Sequence, residues 1–319
     1  MTTCVFLRIG GGLVALALWT GLAVRPAVAA DCGGPVRCQC GDRVVQSTTL
    51  AEDLGVCAGV GLELVSGVVL DCAGHTITGS DAPGAWYGIH LDETEKATVR
   101  NCRVTKFRRG IRLRGGSKNV ITGNESFENR YGIDIAVASN ANRLRYNLVR
   151  DNRDEGIHIG TDSDRNQILD NELHDNKREN LYLLHSDRNR VLRNVLHHSD
   201  AAAIYVKHSS GNVFRDNEVR DRPILLRGDS RRNVFRNNYL KGDGYILEAY
   251  EEPEGWSAPR SNRFFSDLIR KTDWCFRFLG ASDNHAKGLE TDGRCAPITT
   301  ETVGGLEATG NTVEMAPDN

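Results

Sequence analysis

The chain has 319 residues, with 40 Lys and Arg against 42 Asp and Glu interspersed along it, so it offers no basic block of the kind that binds nucleic acid. Hydrophobic residues make up 39% of it, enough for one long core, and no apolar segment after residue 30 is long enough to cross a membrane.

Residues 1–30 read as a secretory signal. Arg8 supplies the positive start, Ile9 to Val24 form a Gly-rich apolar run, and Ala27-Val28-Ala29 is a small-x-small cleavage pattern. The expected location is therefore secreted or periplasmic, with no membrane insertion after cleavage. One of the nine cysteines, Cys4, lies in that signal. The other eight (Cys32, Cys38, Cys40, Cys57, Cys72, Cys102, Cys275 and Cys295) form an even set, which in an exported chain implies disulfides. Cys275 and Cys295 stand apart from the rest and are expected to pair. The pairing of the first six is not readable, and Cys102 is alternatively a buried thiol, because it stands where a repeated Asn is expected.

Residues 31–57 read as a Cys-rich N-terminal cap. Thr49 with Glu52 has the spacing of a capping box and predicts a short helix over Thr49–Leu54. From residue 58 to 319 one unit repeats. Asn124, Asn147, Asn171, Asn194, Asn217 and Asn238 are 21 to 24 residues apart, and Asn119, Asn142, Asn166, Asn189, Asn212 and Asn233 run five residues ahead of them. Gly88-Ile89, Gly110-Ile111, Gly132-Ile133, Gly156-Ile157, Asn180-Leu181 and Ala203-Ile204 keep step. A period in the twenties with short alternating apolar runs means a solenoid of strands. The fold class is thus all-β, a single-stranded solenoid of 22–24-residue coils stacked as parallel sheets, expected to be monomeric. Val69 to Gly79 reads as the first full coil. Cys102 and Ser80 are expected in the later Asn column, and Ala97 and His75 in the earlier one. Repetition in nearly every coil marks the Asn columns as structural: Asn tolerates the left-handed turn of each coil, and its side chain bonds the coils above and below. After Asn233 the period stretches to 29 residues, and the excess falls at about 250–260, an acidic and aromatic inserted loop.

In the Gly-Ile-x-Leu segment Ile and Leu point inward and x outward. Down the stack x reads His90, Arg112, Asp134, His158, Tyr182, Tyr205 and Leu225. From His90 to Tyr205 the six rungs span about 24 Å at about 4.8 Å per step, a length that suits an extended sugar polymer. The next outward column runs through Arg114, Ala136, Gly160 and Lys207, whose small members leave room beside Asp134 and His158. Tyrosines give stacking surface for sugar rings, and Arg112, Arg114 and Lys207 suit carboxylates. His174 and His197 are 23 residues apart, as are His185 and His208, so each pair is expected on adjacent rungs. Two imidazoles do not complete a metal site, and neither a metal ligand set nor a cofactor is assigned.

The repeat resembles right-handed parallel β-helix proteins of the pectin-lyase-like type over residues 58–290. More narrowly, it is similar to the family that includes the periplasmic nitrous-oxide-reductase accessory protein and the mannuronan epimerases. Those epimerases carry Tyr-Gly-Phe-Asp-Pro-His-Asp on the outward face. Here Tyr131-Gly132-Ile133-Asp134-Ile135-Ala136-Val137 keeps the Tyr and the first Asp and lacks the His, for which His158 one coil on is the substitute. The polygalacturonase motifs are absent. The resemblance implies a polysaccharide partner containing uronate, with lyase or C5-epimerase chemistry. Arg112, Tyr131, Asp134 and His158 are then the catalytic candidates, and His90, Arg114, Tyr182, Tyr205 and Lys207 the substrate-binding ones. The alternatives are a catalytically silent binding module and a metal-handling accessory protein.

Overall fold

In a computed structural model the described residues are 30–270, 272, 274–292 and 298–316. They form an all-β right-handed parallel solenoid with no helix. A typical coil takes the strand Arg109–Arg114 into a first sheet, Val120–Thr122 into a second and Glu125–Phe127 into a third, then starts again at Tyr131. The first sheet holds 13 strands, from Asp31–Cys32 to Thr299–Glu301, and runs unbroken through the molecule. Within it Ile111 pairs with Ile133, Ile133 with Ile157, Ile157 with Leu181 and Leu181 with Ile204. All five are fully buried, so the Gly-Ile column is the inner wall of this sheet, as its alternation requires. Toward the C-terminal end the core turns aromatic, and the Phe214, Phe235 and Phe264 rings stack 4.5 and 4.9 Å apart.

The corners are held by side-chain ladders. Asn171 Oδ1 accepts from the backbone N–H and the side-chain amide of Asn147, while its own amide donates to Leu144 O and Asn194 Oδ1. The earlier column runs the same way from Asn119 through Asn233, save that among the described residues the side-chain amide of Asn189 has no hydrogen-bond partner, and it continues through Asn262 and Asn284 to Asn311. Left-handed backbone belongs not to these asparagines but to the residue before each. Lys118, Ala141, Arg165 and Arg188 have φ of 55 to 58°. The turn is made one residue early, so that the Asn itself can face inward and bond its neighbours. A third ladder, Asn129–Asn152–Asn176, closes the remaining corner.

Several expectations change at the N-terminal end. No helix forms at Thr49–Leu54. Thr48–Thr49 and Leu54–Cys57 are strands that pair with Leu70–Asp71 and with Ile77 and Gly79 of the next coil, because the sheet edge offers them partners that a lone helical turn lacks. Coiling therefore begins before Val69, with Asp42–Val44 already in the first sheet. The Arg103↔Thr76 pairing sets His75, not Ser80, beside Cys102, and the Thr98↔Val69 pairing sets Val68, not His75, beside Ala97. Cys102 is no free thiol: the first six cysteines pair as Cys32–Cys38, Cys40–Cys57 and Cys72–Cys102. Cys275 is disulfide-bonded. Cys295, Cys4 and the expected signal with its cleavage pattern lie outside the described residues. The insertion near 250–260 contains a two-stranded antiparallel hairpin, Tyr250–Glu252 with Gly255–Ser257.

Candidate functional site

The outward column is in register as expected. His90, Arg112, Asp134, His158, Tyr182, Tyr205 and Leu225 sit on successive rungs of the first sheet. Its middle is buried although it faces out, with Asp134 1% exposed, because long side chains on adjacent rungs cover one another. Asp134 Oδ2 accepts from Arg112 and from Arg109, and its Oδ1 lies 2.9 Å from His158 Nδ1. Burial alone raises the pKa of this carboxyl. The His158 hydrogen bond and the charges of His158, Arg112 and Arg109 outweigh it and bring it to about 2. An ionised carboxylate only accepts, so Nδ1 of His158 carries the proton. The second ring nitrogen lies beside Gly160, where a Cβ would come within 2.8 Å of it. That glycine keeps the approach to Nε2 clear. Asp134 is thus placed to orient His158, and with a pKa of about 2 it is too weak a base to take a proton itself.

Aromatic rings continue the face. The Tyr182 ring is 5.4 Å from His158 and 4.8 Å from Tyr205, the latter pair nearly parallel. Burial, then the neighbouring Tyr205 and carboxylates, raise the Tyr182 pKa, so its hydroxyl stays protonated. Tyr131 lies 6.3 Å from His158, between the guanidinium groups of Arg109 and Arg130 at 5.3 and 5.2 Å. Burial raises its pKa first, and the Asp154 and Glu155 charges add to the rise.

Arg112, Tyr131, Asp134, His158, Tyr182 and Tyr205 therefore share one place. The other three sequence candidates flank it and are engaged with other partners. His90 is stacked on Tyr87 at 4.4 Å and pushed toward its neutral form by burial. Arg114 pairs with Asp92 at 3.1 Å. Lys207 Nζ sits 3.5 Å from the centre of the Tyr250 ring, under the hairpin.

Sequence reasoning named Tyr131 but missed the second outward column to which it belongs, Tyr87, Arg109, Tyr131, Glu155 and Glu179. It precedes the Gly-Ile pair by one residue, and that constant offset was the available signal. Arg109 completes the clamp on Asp134. Glu155 and Glu179 are buried, each keeps an Oε2 without a hydrogen-bond partner, and burial pushes both carboxyls up. Arg178 stands 3.1 Å from Glu155.

The paired histidines stack on adjacent rungs, His174 on His197 and His185 on His208, both at 4.8 Å. Among the described residues no group of three or more His, Cys, Asp or Glu is arranged to hold a metal ion.

Comparison with known proteins agrees with this architecture. Residues 59–202 match the family model described as "Periplasmic copper-binding protein (NosD)", and residues 161–266 match "Right handed beta helix region". No curated protein matches the chain. Among solved structures it is similar to the catalytic unit of a thermostable alpha-1,3-glucanase from Streptomyces thermodiastaticus, with a TM-score of 0.60 and 12% identity over 88% of this chain and 62% of that one. It is similar also to a mutant of the periplasmic alginate epimerase AlgG, with a TM-score of 0.58 and 14% identity over 86% and 77%. A third is DFA-IIIase from Arthrobacter chlorophenolicus, with a TM-score of 0.55 and 15% identity over 85% and 71%. At such identities the likeness is one of fold.

Proposed function

We propose that this right-handed parallel β-helix protein binds a uronate-containing polysaccharide along the outward face of its first sheet, with His158 as the proton-accepting group. The observation that carries the reading is the Asp134–His158 pair. A buried, ionised carboxylate fixes the imidazole tautomer, and two arginines stand on the carboxylate beside it. The similarity to a periplasmic alginate epimerase supports the substrate class.

On this reading a uronate lies with its carboxylate toward Arg109 and Arg112 and its C5–H toward His158 Nε2. Proton removal sends the C–H electron pair toward the carboxylate, and the arginines oppose the developing charge. Reprotonation of C5 from the other side completes an epimerisation. In the lyase alternative the pair forms the C4–C5 double bond, the C4–O4 bond breaks, and O4 takes a proton from Tyr131. Tyr182 and Tyr205 hold the neighbouring sugars by stacking. Three disulfides suit an oxidising compartment, so the site of action is secreted or periplasmic.

The test is a polyuronate panel followed by absorbance of unsaturated ends and by NMR of epimerised residues. Turnover that disappears in His158→Ala supports the reading. Binding without turnover favours the silent module, and neither binding nor turnover removes the sugar reading altogether. A metal-handling role is the second reading, favoured by the description of the matched family model and by the His174–His197 stack, which His198 extends through a 2.8 Å contact between Nδ1 atoms. Copper titration of wild type and His197→Ala decides that one.

A further inference from the structure

The corner that leads into the first sheet is longer in one coil than in the next two. Residues 80–86 fill it between Thr76–Gly79 and Tyr87–Asp92, whereas 106–108 and 128–130 make the same turn with three residues each. The longer loop leans toward the C-terminal coils and is clasped there, since Asp81 forms an ion pair with Arg153, 72 residues and three coils further on. A clasp over such a distance needs a reason, because loops that break a repeat often build binding elements.

Under the clasp lies a cavity of about 590 Å³, within the range of small-ligand sites. Trp86 and Phe107 are its aromatic walls, and Trp86 is 43% exposed, far more than a packing role requires. Four cations line it, Lys106, Arg108, Arg130 and Arg153, against one acid, Asp81. Asp81 answers Arg153, and Asp154 answers Arg130 at 3.2 Å. Among the described residues neither Lys106 nor Arg108 has a carboxylate partner. Arg108 lies over the Trp86 ring at 4.8 Å, and its buried Nε has no hydrogen-bond partner. A buried guanidinium donor left unpaired costs free energy until an acceptor arrives.

We propose that this cavity binds an acidic sugar, its ring against Trp86 and its carboxylate between Lys106 and Arg108. A bare inorganic anion would satisfy the two cations but leave most of the space and the aromatic wall unused. A neutral sugar would use the wall and leave the cations unanswered. The choice of a hexuronate as the sugar rests on the reading of the sheet face. The preference for an anion rests on the cavity alone. Arg130 lines the cavity and also stacks on Tyr131 at 5.2 Å, so the two places adjoin. A polymer bound on the face can therefore place a second acidic residue here.

The experiment is fluorescence titration of the whole protein with a mannuronate trisaccharide, set beside maltotriose and inorganic phosphate at matched ionic strength. Trp86→Phe separates the Trp86 signal from that of the other tryptophans. The expected result is saturable quenching by the trisaccharide that vanishes in Trp86→Phe, weakens at least tenfold in the Lys106→Ala/Arg108→Ala double variant, and changes less than twofold in His158→Ala. If the double variant melts early, Lys106→Glu replaces it, since that side chain is exposed. Equal quenching by maltotriose or by phosphate overturns the assignment, as does undiminished affinity in a folded double or Lys106→Glu variant. Polymer binding and turnover that survive in His158→Ala, with the Trp86 signal intact, sink the reading of the face and leave the cavity standing.

Discussion

His158 Nδ1 stands 2.9 Å from Asp134 Oδ1, one rung across the first sheet, with Arg109 and Arg112 on the other carboxylate oxygen. Removing the charge of Asp134 leaves two arginines close together without their counter-ion. Asp134→Asn is expected to lose about 3–5 kcal/mol of stability near neutral pH and at least a hundredfold in any proton-transfer turnover. The folded-state pKa of Asp134 is depressed, so its stabilisation is present above the ordinary carboxylate range and is lost as pH falls toward about 2. Urea denaturation at pH 7 and pH 2 checks this, since the gap between wild type and variant should narrow at the lower pH. A gap that stays constant would show that the ionised state of Asp134 is not what holds the cluster.

The ladders predict a stability effect without a binding effect. Asn171→Ala removes the acceptor for two donors of Asn147 and leaves Leu144 O and Asn194 Oδ1 each short of a donor. The expected loss is roughly 2–4 kcal/mol, with the affinity of the folded fraction for sugar unchanged. Weaker binding at wild-type melting temperature would mean that the ladder reaches the ligand.

Repetition made this fold legible. Each Ile of the Gly-Ile column and each Asn of the two long columns recurs often enough for its period to be counted, and every added rung repeats the same physical demand. The Asn129–Asn152–Asn176 ladder is only three rungs long, too short to stand out from chance. The Thr49–Leu54 helix failed because a capping-box spacing is local, whereas the strand partner at Leu70–Asp71 is one coil away and decides the outcome. Within the site the x positions were readable and brought Asp134 and His158 together correctly. Arg109 was not, because its approach to Asp134 depends on how a long side chain crosses the rung, and no alternation rule fixes that. The Trp86 cavity was equally hidden, since it depends on an ion pair between residues three coils apart.

Asp267 takes the place of an asparagine at the end of the later ladder, and it gives the clearest pH signature. Its Oδ1 accepts from the backbone and side chain of Asn238, and its Oδ2 meets the Tyr245 hydroxyl at 2.9 Å. Burial raises its pKa to about 7, only partly offset by the Asn238 and Tyr245 hydrogen bonds. A carboxyl raised in the folded state favours folding while it stays protonated, so this stability is full below the ordinary carboxylate range and is lost as pH rises toward about 7. Asp267→Asn supplies the same acceptor without a titrating charge. The variant should be close to wild type at pH 4 and more stable by about 2–4 kcal/mol at pH 8. Chemical denaturation at the two pH values measures the difference, and a variant less stable at pH 8 contradicts it.

The hairpin Tyr250–Ser257 folds back from its own coil over the two before it. Its Tyr250 ring covers Lys207 Nζ at 3.5 Å and lies 6.0 Å from the Arg227 guanidinium, and Glu252 Oε1 meets His208 Nε2 at 2.6 Å. It therefore closes the outward face just beyond Tyr205, where the column of polar and aromatic groups gives way to Leu225. A polymer lying along the rungs would meet this wall at its Tyr205 end. Tyr250→Ala removes the cation–π contact, at about 1 kcal/mol in stability, and uncovers Lys207 for a carboxylate beyond Tyr205. Affinity for a uronate hexamer is then expected to rise severalfold, while that for a trimer, which already fits between His158 and Tyr205, stays the same. Calorimetric titration with the two oligomers separates the cases. Equal gains for both would assign the hairpin a general shielding role, and a loss for both would make Tyr250 itself a sugar contact instead of a boundary.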